Sequence, residues 1–360
     1  MGQSPDSKSY NEAKEGIPFF QGNADFGERY PITRVWCNAP TKIAQKDDIL
    51  ISVRAPIGAL NYAKETCCIG RGLAAITPNK TKVSTEFIFW LLKGKNNELN
   101  SLGTGSTFKA ISKKVLEETK VPDISLEKQT AYSNILEKLY FIITHRRTQL
   151  EKLDLLVKAR FVEMFGDVDL TPQKSEWTTV SEIGTVVGGS TPKTSIEEYW
   201  DGDLKWITPA ELNLDTGYLY DSIRKITKAG AESCSLQLMP INTVILTSRA
   251  PIGKVAIAGT EFYCNQGFKN IICKDTINPR YLYSLLLFNT DYLNSLGRGA
   301  TFKEISKAIV EKIRIPIPQI ELQNQFADFV KQVDKSKVAV QKELDKAQML
   351  FDSLMQEYFG

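Results

Sequence analysis

Two stretches of the chain differ from the rest in how apolar and polar residues alternate. From Leu126 to Phe165, and again from Glu321 to Phe359, there is no proline or glycine. In the first stretch apolar residues fall at Leu136, Leu139, Ile143, Leu150, Leu153, Val157 and Met164, with Arg146 and Arg160 as interruptions. The second repeats the series at Val330, Val333, Val340, Leu344, Ala347, Phe351, Leu354 and Tyr358, with Lys337 as its interruption. Spacings of three and four in turn form the seam of a coiled coil. Each stretch is therefore predicted to be one helix of roughly 55–60 Å at 1.5 Å per residue. Both end alike, at Phe161-Val-Glu-Met-Phe-Gly166 and Met355-Gln-Glu-Tyr-Phe-Gly360, and glycine stops a helix. Packing in some helical bundle is the plain reading of either seam alone. A pair of antiparallel helices acting as a stiff spacer is the reading their placement favours.

That placement follows from a duplication. Arg54-Ala-Pro-Ile-Gly58 recurs as Arg249-Ala-Pro-Ile-Gly253, and Ser101-Leu-Gly-Thr-Gly-Ser-Thr-Phe-Lys109 as Ser295-Leu-Gly-Arg-Gly-Ala-Thr-Phe-Lys303. Each copy runs through short apolar segments, Ile49–Val53 in one and Val244–Thr247 in the other, punctuated by Gly, Pro and Asn, which read as strands and loops. A helical stretch follows, Ser84–Leu92 or Pro279–Phe288. Then come the glycine-rich loop, an extended segment ending in proline (Val121-Pro122; Ile315-Pro-Ile-Pro318) and a long helix. The predicted class is α+β: two repeated α/β modules separated by a pair of long helices forming an antiparallel coiled coil with approximate two-fold symmetry. The predicted division is 1–124 and 167–319 for the modules, 125–166 and 320–360 for the helices. A two-headed chain of this kind suits a split site on a duplex.

Composition narrows the chemistry. The net charge of +3 is mildly basic, which permits nucleic-acid binding and predicts that the isolated chain binds weakly, a partner supplying further positive field. Six cysteines (Cys37, Cys67, Cys68, Cys234, Cys264, Cys273) show no CxxC spacing, and no apolar run approaches twenty residues. A cytoplasmic protein with reduced thiols is expected. The one histidine, His145, excludes a His-based zinc site. Flanked by Arg146 and Arg147 between seam positions, it reads as a solvated helix face. No glycine-rich phosphate loop or dinucleotide fingerprint occurs.

Taken in order, Gly2-Gln-Ser-Pro5, Gly16–Asp25, Arg54–Gly58 and the Gly103–Lys109 loop resemble the specificity subunit of a type I restriction–modification system. In the second half Gly189-Ser-Thr-Pro192, Asp203–Pro209, Arg249–Gly253 and Gly297–Lys303 carry the same resemblance. It implies target-recognition domains that each read one half of a bipartite double-stranded DNA site. It also implies helices that set the spacing and dock two methyltransferase subunits, with restriction subunits joining that core. The resemblance implies no catalysis and no cofactor in this chain; S-adenosylmethionine, ATP and Mg belong to the partners. One departure is that Glu176–Val187 precedes the second Gly-Ser-Thr-Pro while the first module begins almost at Gly2. The opening strand and turn of the first module are thus expected to be missing, leaving an open sheet edge.

Candidate contacts follow from residue type. Arg54 and Arg249, on rigid turns after strands, suit a phosphate or guanine's two acceptors, or a structural pairing within the module. Thr104, Ser106, Thr107 and Lys109, matched by Arg298, Thr301 and Lys303, sit in glycine-rich loops whose N–H groups, hydroxyls and cations suit phosphate oxygens. A plain connector is the other reading. Gln21, Asn23 and Asp25, and Thr208 and Glu211, follow corresponding strands and fit either base edges or ordinary turn chemistry. Arg71, Gln266 and Lys269 complete the set. Phe19, Phe20, Trp206, Phe108 and Phe302 are expected in the core. A rival function is a metal-dependent nuclease at Asp6, Glu12 and Lys14, in a loose PD…(D/E)xK pattern. Another is a protein-only adaptor with a non-functional first module.

Overall fold

The computed structural model describes residues 1–105, 109–212, 217–249, 251–299 and 303–360. Contacts divide the chain into two units, Met1–Arg147 with Lys342–Gly360, and Thr148–Gln341. Each unit contains one copy of the repeated module and part of both long helices.

In the first unit a sheet is ordered Tyr10–Asn11, Val35–Cys37, Ile17–Phe20, Cys67–Ile69, Ile43–Ala44, and a second is ordered Leu60–Tyr62, Ile49–Ser52, Leu73–Ile76. The run Ile-Leu-Ile-Ser lacks alternation because its strand is buried on both faces: all four residues are buried. In the second unit the corresponding sheets are Arg224–Ile226, Trp200–Ile207, Tyr263–Cys264 and Gly184–Gly188, Lys269–Cys273, Val244–Leu246, Val255–Ala258, Tyr218–Leu219. The register repeats as well. Phe19 lies beside Cys68 in a parallel pair, as Trp206 does beside Tyr263, and Ile49 faces Ile76 as Val244 faces Ile271. Phe19, Phe20 and Trp206 are buried as expected. Phe108 and Phe302 lie outside the described residues. Burial pushes the thiols of Cys67, Cys264 and Cys273 up to about 12, and all six cysteines are free.

A short helix covers each module. Thr85–Gly94 starts at Ser84, whose hydroxyl accepts from Phe87 N (3.3 Å). Pro279–Phe288 starts at Asn278, whose carbonyl oxygen accepts from Arg280 N (2.9 Å), with proline in the first turn, where no donor is lost. The module is fastened to the following long helix by one buried glutamine in each copy. Gln129 accepts from Ser84 N (2.9 Å) and donates to Ile124 O (2.9 Å). Gln323 accepts from Asn278 N (2.8 Å) and donates to Pro318 O (2.8 Å) and Thr276 O (3.3 Å).

The long helices span Leu126–Phe165 and Ile320–Phe359. Within the first unit Tyr132 stacks on Tyr358 (3.8 Å between centroids), and Arg147 donates to Gln348 (3.1 Å). Within the second, Lys337 pairs with Asp154 (2.8 Å) and Phe161 packs on Phe326 (5.4 Å). Residue numbers rise on one helix as they fall on the other, so the pairing in each unit is antiparallel. Leu136, Leu139, Ile143, Val330, Val333, Val340, Leu344 and Phe351 are buried; Leu150, Leu153, Val157 and Leu354 are half-buried. The charged interruptions are accommodated by partners: Lys337 by Asp154, and Arg160 by Glu163 (2.7 Å) and the Phe329 ring (5.5 Å).

An arginine ties each module to its helix section. Arg29 bonds Glu137 and lies over the rings of Phe89, Trp90 and Tyr140. Arg280 bonds Asp334 (2.5 Å) over Tyr218 and Tyr283. Burial raises the Asp334 carboxyl pKa even though Arg280 and Lys337 draw it down.

Candidate nucleic-acid interface

The repeated Arg-Ala-Pro-Ile-Gly loop is held from beneath by a hydroxyl. Ser52 Oγ donates to Pro56 O (2.7 Å) and accepts from Ala59 N (2.9 Å). In the second module Thr247 Oγ1 donates to Pro251 O (2.7 Å) and accepts from Lys254 N (2.9 Å). The loop closes on a glycine with φ +87° at Gly58 and +89° at Gly253, a left-handed conformation that side chains resist. The second loop has the same requirement at Gly105 (φ 122°) and Gly299 (φ 126°). Gly58, Gly105, Gly253 and Gly299 are thus explained by backbone shape, and Gly103 and Gly297 by close packing, where a Cβ would meet Ile57 Cδ1 at 2.7 Å and Ile252 Cδ1 at 2.5 Å.

A main-chain ladder joins these loops. In the first unit Gly70 N donates to Phe20 O (2.8 Å), Val53 N to Gly72 O (2.9 Å) and Ile111 N to Val53 O (2.9 Å). Ala55 N donates to Lys109 O (3.0 Å), and Thr104 and Ala110 exchange two bonds (3.0 and 2.9 Å). The second unit repeats the ladder. Asn265 N donates to Ile207 O (3.1 Å), Ser248 N to Gly267 O (2.8 Å) and Ile305 N to Ser248 O (3.0 Å), and Arg298 and Glu304 exchange two bonds (3.1 and 3.0 Å). Gln21, Arg54, Arg71, Thr104 and Lys109 therefore share one patch. Thr208, Gln266, Arg249, Arg298 and Lys303 share its counterpart. Arg54, Arg71, Thr104, Lys109, Gln266, Arg298 and Lys303 are exposed; Arg249 and Thr208 are half-buried. Among the described residues none of these arginines or lysines has an ion-pair partner. Ser106, Thr107 and Thr301 lie outside the described residues.

Other candidates are engaged within their own module. Asp25 accepts from Gln21 N (2.7 Å) and Gly22 N (3.3 Å), closing the short helix Asn23–Asp25 that also contains Asn23. Glu211 accepts from Thr208 N (2.8 Å), Thr208 Oγ1 (3.2 Å) and Ile223 N (2.8 Å). Here the carboxylates serve turn chemistry. Lys269 is 13% exposed and bonds both Ser248 Oγ and Glu304 Oε1 at 3.2 Å.

Two pairs escaped the sequence reading. Ser4 Oγ donates to Gln21 Oε1 (2.9 Å) and accepts from Arg71 N (3.3 Å); in the second module Thr191 Oγ1 donates to Gln266 Oε1 (2.6 Å). The other pair is Ser52 and Thr247. The first was signalled by the repeated hydroxyl-proline step at Ser4-Pro5 and Thr191-Pro192. The second had only a shared hydroxyl two residues before each arginine.

At the rival nuclease position Asp6 Oδ1 accepts from Lys8 N (3.0 Å), capping a short turn, and Lys14 Nζ lies 5.9 Å over the Trp36 ring. Among the described residues no group of three or more histidine, cysteine or carboxylate side chains could hold a metal ion. His145 is exposed and stacks on Phe141 (5.8 Å).

Two copies of one sheet-rich module, each with a cationic loop patch and a long helix after it, define a duplicated α+β protein. The family model for the type I restriction modification DNA specificity domain matches residues 2–153 and 172–347, and the chain belongs to that family. It is 41% identical over 184 residues to the type I restriction enzyme MjaIX specificity subunit of Methanocaldococcus jannaschii, covering 50% of this chain and 43% of that one. It is 46% identical over 154 residues to the putative MjaX specificity subunit of the same organism, covering 43% of this chain and 36% of that one. These alignments span less than half the length of either relative. A solved type I restriction–modification S subunit from M. genitalium shares the fold, with a TM-score of 0.63 and 16% identity over 100% of this chain and 92% of that one.

Proposed function

We propose that the chain is a non-catalytic DNA sequence-recognition subunit of a type I restriction–modification complex in the cytoplasm. Each module reads one half of a bipartite site. The long helices set the spacing and dock two methyltransferase subunits, and restriction subunits join the assembly. S-adenosylmethionine, ATP and Mg act in those partners. The observation that carries this reading is the repeated patch: the same backbone ladder presents unpaired cations in both units while the side chains on it differ, Thr104 against Arg298 and Arg71 against Gln266. Cations on a shared scaffold suit phosphates common to all DNA; differing side chains suit different bases. The helices also carry exposed apolar side chains, among them Phe141, Leu155, Val338 and Met349, which supports a protein-docking role for them.

Mapping methylated positions in DNA exposed to the assembled complex tests the reading. Exchanging residues 166–318 for another such module should change one half of the methylated motif and leave the other intact. Loss of methylation at both halves, with assembly retained, would refute independent reading heads. An unchanged motif would refute base reading by this module.

A further inference from the structure

Each module seats one glutamine amide on the same hydroxyl. In the first, Ser4 Oγ accepts from Arg71 N (3.3 Å) and gives its proton to Gln21 Oε1 (2.9 Å). That amide oxygen also packs against Gly70, where a Cβ would meet it at 2.5 Å. In the second, Thr191 Oγ1 donates to Gln266 Oε1 (2.6 Å). Both hydroxyl residues are half-buried and stand one place before a proline, while both glutamines are exposed. The glutamines come from different loops. Gln21 follows Ile17–Phe20, and Gln266 lies between Tyr263–Cys264 and Lys269–Cys273. The turn at Gln266 is fixed by Asn265 Oδ1, which accepts from Gly267 N (2.8 Å). Among the described residues neither glutamine Nε2 donates to a protein atom.

A glutamine recognises adenine by giving one N–H to N7 and taking one from the N6 amino group, which requires both amide atoms on the base edge. Here the oxygen is turned to the module, so the amide offers its donors alone. Guanine presents N7 and O6 as adjacent acceptors, whereas the amino groups of adenine and cytosine would set donor against donor. Resting on the reading of the modules as DNA-recognition heads, we propose that Gln21 and Gln266 each read a guanine in the major groove. Ser4 and Thr191 are the positioning residues: by holding the amide oxygen inward they reject adenine.

The test uses the chain assembled with its methyltransferase partner and duplexes carrying the mapped methylation motif, changed one base pair at a time. Gln266→Ala should erase the preference at one position in the half read by the second module, and that position should be G·C. Placing 7-deazaguanine there, which lacks the N7 acceptor, should weaken binding about tenfold, and should not further weaken binding by the Gln266→Ala complex. Thr191→Val keeps the side-chain shape and removes the hydroxyl; it should cut the preference for G·C over A·T at that position about tenfold, while Thr191→Ser retains it. Ser4→Ala and Ser4→Thr should act in the same way on the position read by Gln21. An A·T pair at the Gln266 position, indifference to 7-deazaguanine, or unchanged discrimination in Thr191→Val overturns the proposal. So does a Gln266→Ala complex with an unaltered motif. Exchange of residues 166–318 separates the two levels: if it changes the half-motif and Gln266→Ala does not, this assignment falls and the recognition role stands; if neither changes it, both fall.

Discussion

Removing the cations of the two patches one at a time should flatten the salt dependence of DNA binding in countable steps. Arg54, Arg71, Lys109, Arg249, Arg298 and Lys303 have no ion-pair partner among the described residues, whereas Lys269 is held by Glu304. Each phosphate neutralised contributes about −0.9 to the slope of log affinity against log salt. If all the unpaired cations reach phosphates, they contribute about −5 to the slope, a share that lowers affinity for a non-specific duplex by about a thousandfold between 50 and 200 mM salt. Arg54→Ala or Arg298→Ala should each bring the slope about 0.9 closer to zero, so that the same change of salt costs about threefold less. Glu304→Gln should steepen it by a similar step, because it releases Lys269. Fluorescence anisotropy of a labelled duplex across a potassium chloride series reads the slopes, with the chain assembled with its methyltransferase partner. A slope indifferent to Arg54→Ala and Arg298→Ala together would refute the patch as the phosphate-binding surface.

Other outcomes follow from the packing. Phe161, buried among Phe165, Tyr281, Phe288 and Phe326, should cost about 3–5 kcal/mol in urea unfolding when changed to Ala, whereas Phe141→Ala, at 68% exposure, should leave stability within about 0.5 kcal/mol and weaken methyltransferase binding in a pull-down titration. Gln323→Leu strands the Asn278 N–H and two carbonyls, so a loss of about 2–4 kcal/mol is expected by the same measurement. Burial, with Arg29 nearby, lowers the Lys93 ammonium pKa to about 8. Its charged form is therefore disfavoured in the fold, a penalty fully present below that pH and relieved as pH rises toward the usual lysine value of about 10.4. Lys93→Met should raise the melting temperature at pH 7, by an amount that vanishes near pH 10; a gain independent of pH would count against this origin.

The helices were legible in the sequence because proline and glycine are absent and the seam recurs at fixed spacing, a signal that needs no knowledge of tertiary neighbours. The repeated glycines were legible as motifs, and the reason is φ at Gly58, Gly105, Gly253 and Gly299 and close packing at Gly103 and Gly297. Gln129 and Gln323 were not legible, since one polar residue near a helix start looks the same whether it meets water or a buried N–H. Asp25 and Glu211 were ambiguous for a related reason: a carboxylate that caps a turn and one that meets a base occupy the same kind of loop. Val121 and Ile315 are both β-branched, yet one is open and the other enclosed, because burial depends on a neighbouring strand that local composition does not encode.

The hydroxyls of Ser52 and Thr247 have a further consequence. Because they and the ladder of amides fix the course of each loop through main-chain atoms, the outward side chains contribute little to keeping that course. Substitutions at Thr104, Arg298 or Arg71 can then alter what is touched while the mount stays still. Such a mount would let new preferences arise by single changes, without the toll on folding that usually accompanies a remodelled surface.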